Sequence, residues 1–180
     1  MNLPNKLTIF RVILIPFFIV TLMLPDVFPH NDHIALTIFI VASVTDWFDG
    51  YLARKNNLVT NFGKFMDPLA DKMLICSALI CLVDLGRIPS WMVIIIIIRE
   101  FFIQGFRTIA ADNGVVISAS WWGKFKTGFQ MFAVGFAIAK FPWEITDILG
   151  QVCLWAAVVL TVISMIDYVI KNRNIIKEVK

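Results

Sequence analysis

The stretch "TDWFDGYLARKNNLVTNFGKFMDPLADK", residues 45–72, holds four aspartates in a chain that is 59% hydrophobic. They are Asp46, Asp49, Asp67 and Asp71, nearly a third of the thirteen acidic residues among 180. The first pair is spaced three positions apart and the second four, so each pair shares one face if its flank is helical. What surrounds them decides what they are for.

The surroundings are oily throughout. Only 16% of residues are charged, the mean hydropathy is +0.80, and apolar runs recur along nearly the whole length. A soluble core with a polar shell cannot be built from such a chain. A spanning helix needs roughly 20 mostly apolar residues. Six candidates are present, at 8–25, 33–53, 65–84, 89–110, 125–141 and 149–170, separated by breaks such as Pro25-Asp26, Asn56-Asn57, Leu85-Gly86 and Phe141-Pro142. Strict alternation is absent, which excludes a barrel. The expectation is an all-α integral membrane protein of one domain, residues 1–180, with six transmembrane helices. A short interfacial helical segment precedes the first, with Asn5 as its cap and Thr8 and Arg11 later on it. No small-residue cleavage site follows Leu24-Pro25-Asp26, so no cleavable signal is expected. Cys76, Cys81 and Cys153 sit among apolar neighbours and read as buried free thiols.

The cations set the orientation. With the N-terminus inside, thirteen Lys and Arg residues fall in inner segments, Arg87 and Lys140 in outer loops, and Arg99 in mid-span. The net charge of +3 then describes a basic cytoplasmic face suited to anionic lipid or phosphorylated substrates. No nucleic-acid partner is expected. The protein should be a multi-pass protein of the cell membrane, with both termini and the aspartates on the cytoplasmic side.

Asp46 and Asp49 then end the second span, and Asp67 and Asp71 open the third, at one depth. Four carboxylates at close quarters repel, and taking them from water costs several kcal/mol apiece, roughly. One or two divalent cations offset both penalties, and hard oxygen ligands select Mg²⁺, Mn²⁺ or Ca²⁺. A lone aspartate at a helix end is usually a cap or a surface charge. Two pairs on consecutive spans are not, because intramembrane acids are functional by default. Gly50 and Ala53 remove bulk from the acidic face, Arg54 offers a fork for phosphate oxygens, and Gly63 allows close approach. Pro68 is tolerable in a first helical turn. Together these residues suit a metal-bound diphosphate beside a slim aromatic group.

The stretch resembles the CDP-alcohol phosphatidyltransferase family. It matches that family's signature D-x-x-D-G-x-x-A-R-x8-G-x3-D-x3-D at Asp46, Asp49, Gly50, Ala53, Arg54, Gly63, Asp67 and Asp71. The resemblance implies two divalent cations, Mg²⁺ or Mn²⁺, held by Asp46, Asp49, Asp67 and Asp71 on the diphosphate of a CDP-linked lipid. It also implies Asp71 as general base and Asp46, Asp49, Gly50, Ala53, Arg54 and Gly63 around the CDP part. A homodimer through spans away from the site is implied too.

Two further stretches, "NLPNKLTIFRVILIP" at 2–16 and "WWGKFKTGFQM" at 121–131, resemble the phosphatidylglycerophosphate synthase branch. That branch uses CDP-diacylglycerol as donor and sn-glycerol 3-phosphate as acceptor. A phosphorylated acceptor needs cations besides Arg54, and Arg107, Lys124, Lys126 and Arg11 lie near cytoplasmic span ends. The competing reading makes them lipid-headgroup anchors. Glu100, Gln104 and Arg107 form a polar stripe that should turn inward, with Arg99 deeper. Asp167 and Lys171 read as an ordinary helix pair, and His30 and His33 carry no chemistry. A cardiolipin-type or phosphatidylinositol-phosphate-type synthase would share the donor site. A divalent-cation transporter would need acids leading to the other face, and none are present. A purely structural membrane scaffold would not need the acids at all.

Overall fold

The structure is a computed structural model that describes residues 3–55, 61–112 and 121–172. Within these it describes all side chains but those at 3–4, 47–55, 61–65, 67–68 and 112. The described residues form six helices and no strand: α1 Leu3–Met23, α2 Asn31–Lys55, α3 Asn61–Asp84, α4 Ser90–Asp112, α5 Trp121–Ala139 and α6 Glu144–Lys171. Each expected span has its helix. One expectation needs correcting, the cap at Asn5. α1 runs unbroken from Leu3, and Asn5 lies inside it, buried, rather than capping it.

The chain gathers into two compact units, one of α1–α3 with residues 137–141, the other of α4, the rest of α5, and α6. In the first unit α1 packs on both α2 and α3, and α2 touches α3. The buried face of α1 is Asn5, Thr8, Arg11, Ile15, Phe18 and Leu22, at helical spacing. That of α2 is Ala35, Phe39 and Ala42, and small residues there let two backbones come close. Phe18 meets Phe39 at 6.1 Å between ring centroids, and Arg11 meets Asp46. The two helices therefore run antiparallel. The same register sets Leu22 level with Ala35 and Ile15 level with Ala42.

α3 ends in a glycine stop. Gly86 takes φ +68°, and the Gly86 and Arg87 amides donate back to Val83 and Leu82 at 2.9 Å each. This is the left-handed helix terminus that glycine adopts without strain. It delivers Arg87, which donates to Asp32 Oδ1 at 2.8 Å and to the Ala137 and Ile138 carbonyls at 3.0 Å each. One guanidinium thus joins the start of α2 to the last carbonyls of α5, where a cation also suits the helix dipole.

In the second unit α4 and α6 pack in parallel. Trp91 lies 5.6 Å from Trp155 and Phe106 5.6 Å from Tyr168, centroid to centroid, with Arg99 against Ser164 between them. Gly150 admits Phe136 so closely that an added Cβ would stand 3.1 Å from that side chain's Cβ.

The burial pattern is reversed relative to a soluble fold. Arg11, Arg99, Glu100, Lys126 and Gln130 are buried, while Phe17, Ile94, Ile98, Phe101, Phe132, Val159 and Ile166 are exposed. Among the described residues, two helices, Asn5–Met23 and Glu144–Lys171, are long and apolar enough to cross a membrane by length and composition. The others carry the aspartates, the Arg99-Glu100 pair and the lysines, which thin out their apolar runs.

Candidate active site

α1, α2 and α3 carry the first centre. Asp46 continues the buried α2 face one turn beyond Ala42, yet its side chain is 39% exposed. The Arg11 guanidinium, wholly buried, is in ion-pair contact with its Oδ1. Asp71 follows Ala70 in α3, half-buried, with Lys72 Nζ 3.9 Å from its Oδ2. Asp49, Gly50, Ala53 and Arg54 fall on α2, and Gly63 and Asp67 on α3, but their side chains lie outside those described. Among the described residues no three His, Cys, Asp or Glu side chains gather into a cluster. Two described carboxylates on neighbouring helices, both partly exposed, are hard oxygen donors of the kind Mg²⁺ and Mn²⁺ prefer. The donor set fits a divalent cation.

A second polar cluster sits in the other unit. Glu100, 4% exposed, accepts from Arg99 at 2.9 Å and contacts the Lys126 ammonium. Arg99 also donates to Ser164 Oγ at 3.1 Å, and Ser164 to the Thr161 carbonyl at 3.0 Å. Glu100, Gln104 and Arg107 do turn inward, on the face that also buries Ile96, Ile103 and Ala110. In lipid or protein interior, a cation with its carboxylate is far less costly than either alone.

Of the expected acceptor residues, Arg11 belongs to the first unit and Arg107, Lys124 and Lys126 to the second. Lys124 and Lys126 are two residues apart, hence about 200° apart around α5. Lys124 is exposed, 4.5 Å above the Trp121 ring, an arrangement suited to a membrane interface, where aromatic rings and long cationic side chains gather. Lys126 is buried against Glu100, and Arg11 against Asp46. Arg107 is half-buried on α4 in the second unit. Sequence reasoning missed the partners of Arg11 and Lys126. The seam spacing of α1 could have found the first, because it continues through Asn5, Thr8 and Arg11. Asp167 and Lys171 pair at 2.7 Å, Cys76, Cys81 and Cys153 form no disulfide among the described residues, and His30 and His33 pack edge to face at 6.2 Å.

Helices with apolar exposed faces and buried charged side chains define a membrane-associated protein. The model of the CDP-alcohol phosphatidyltransferase family matches residues 1–163, and the chain belongs to that family. Among curated relatives, the CDP-diacylglycerol–glycerol-3-phosphate 3-phosphatidyltransferase of Bacillus subtilis (strain 168) is 44% identical, across 98% of this chain and 97% of its own. A protein of that name from Haemophilus influenzae is 43% identical across 93% and 91%. Another, from Salmonella paratyphi A, is 40% identical across 96% of each.

Proposed function

We propose that the chain transfers the phosphatidyl group of CDP-diacylglycerol to sn-glycerol 3-phosphate, yielding phosphatidylglycerophosphate and CMP. The observation that carries the reading is whole-length similarity to relatives that share one name, at 38–44% identity. Asp46, Asp49, Asp67 and Asp71 would hold two divalent cations, Mg²⁺ or Mn²⁺. Bound there, the cations would neutralise charge on the diphosphate and on departing CMP. Arg54, with Gly50, Ala53 and Gly63, receives the cytidine diphosphate part. Asp71 accepts the proton of the acceptor hydroxyl. The hydroxyl oxygen bonds to the phosphorus that bears diacylglycerol, and the bond from that phosphorus to the CMP oxygen breaks. Arg107 is assigned the acceptor phosphate, and Lys126 can contribute only while sharing its charge with Glu100. Lys124 serves more naturally as an anchor.

The same proposal takes the single domain to be multi-pass, with six crossings and its termini and carboxylates facing the cytoplasm. Antiparallel α1 and α2 and parallel α4 and α6 support it, because alternating crossings require those directions. The family resemblance adds a homodimer, which cross-linking in native membranes would test.

The functional test is an acceptor screen with purified protein, CDP-diacylglycerol and Mg²⁺. CMP release should require glycerol 3-phosphate. Turnover with an inositol phosphate or with phosphatidylglycerol instead would keep the donor chemistry and replace the acceptor.

A further inference from the structure

Arg11 and Asp46 form an asymmetric pair. The guanidinium has no exposed surface, whereas the Asp46 side chain is 39% exposed. Their meeting is set by packing, since the seam that brings Phe18 to Phe39 brings Arg11 level with Asp46 two helical turns further along. A guanidinium without exposed surface is poorly placed to meet an acceptor phosphate, the role the sequence suggested for it.

We propose that Arg11 is a positioning residue for Asp46. Through the buried ion pair it fixes Oδ1, and so sets the orientation in which the partly exposed carboxylate meets a cation. The inference rests on reading the aspartates as a divalent-cation centre. Outer partners of this kind fix the orientation of a ligating carboxylate, and losing one lowers metal affinity or activity about 10- to 100-fold. Arginine suits the task because its planar fork matches a carboxylate, which a lysine ammonium cannot reproduce.

The test is Mn²⁺ binding to the full-length chain in nanodiscs, read by electron paramagnetic resonance without substrate. Arg11→Gln should weaken Mn²⁺ about 10- to 100-fold and raise the Mg²⁺ needed for half-maximal turnover by a similar factor. The KM for glycerol 3-phosphate should stay within about twofold, and Arg11→Lys should recover part of the Mn²⁺ affinity. Unchanged Mn²⁺ binding in Arg11→Gln, with a raised acceptor KM, would overturn the proposal. Should Arg11→Gln fail to fold, Arg11→Lys carries the test: Mn²⁺ affinity equal to wild type overturns the proposal, and a partial loss supports it. In an Asp46→Asn background Arg11→Gln should add nothing to the loss, and additive losses also count against it. A wild-type chain that binds no Mn²⁺ and turns over in chelated buffer would sink the cation reading itself. A wild-type chain that needs the cation, with Arg11→Gln unaffected, sinks only the role of Arg11.

Discussion

Asp71 and Asp46 occupy neighbouring helices with different surroundings, and that difference separates their expected roles. Asp46 is paired with a buried guanidinium, while Asp71 has Lys72 3.9 Å away at a half-exposed site. Asp71→Asn keeps the shape and loses the basicity, so turnover should fall about 10²-fold or more. Mn²⁺ and CDP-diacylglycerol binding should suffer less than in Asp46→Asn; near wild-type turnover would move the base elsewhere. Chelation with EDTA should abolish activity, and Mg²⁺ or Mn²⁺ should restore it. Glu100 calls for a stability test instead. Glu100→Gln would leave two buried cations, Arg99 and Lys126, facing a neutral amide, at a cost of about 3–5 kcal/mol. Thermal unfolding in one fixed detergent measures this, and a loss under about 1 kcal/mol would show that the cluster is unimportant to the fold. That Asp46 and Asp49 fall on one helix and Asp67 and Asp71 on the next was legible, because apolar runs flank both pairs. Their partners were not, because Arg11 and Asp46, or Glu100 and Lys126, are joined only by the register between helices.

Helices were legible almost to their ends, for the same reason that the chain is oily: apolar runs with polar breaks mark them. The start of α1 was misread. A polar residue near a chain start suggests a cap, but Asn5 lies on the seam that Thr8 and Arg11 extend, so tertiary burial outweighs the capping preference. Arg87 shows how one stop signal organises several elements. Read along the chain it is merely an outer-loop cation, whereas the turn at Gly86 points it at Asp32 and at the end of α5. Arg87→Gln removes a charge-assisted bond to Asp32 and weakens two to carbonyls, all partly buried. Stability should fall by about 2–3 kcal/mol, discounted for partial exposure. Turnover at low temperature and both KM values should hold. A changed donor KM with unchanged unfolding would mean that Arg87 serves catalysis rather than the fold.

For the molecule as a whole, the deciding property is which faces are apolar. α6 makes the contrast sharp, burying Leu154, Ala157, Val158, Thr161, Ser164 and Tyr168 while exposing Trp155, Val159, Val162 and Ile166. The buried face is the more polar of the two. Water would not select that arrangement, and lipid would, because hydrocarbon outside leaves small and hydroxylated residues to pack between helices. Val159 lies near the middle of α6 and is 51% exposed. On a soluble protein Val159→Lys would be harmless or would aid solubility, since exposed substitutions change stability by about 0.5 kcal/mol or less. At the centre of a spanning helix a lysine costs about 2.5–3.5 kcal/mol. Val159→Lys should therefore lower the amount of folded protein extracted from membranes and its unfolding temperature, while Val159→Leu should change neither. Lysine placed at Ile170, one residue from the end of α6, can reach the interface and should be tolerated. Equal tolerance at positions 159 and 170 would contradict a lipid-facing surface, and with it the crossing assigned to α6.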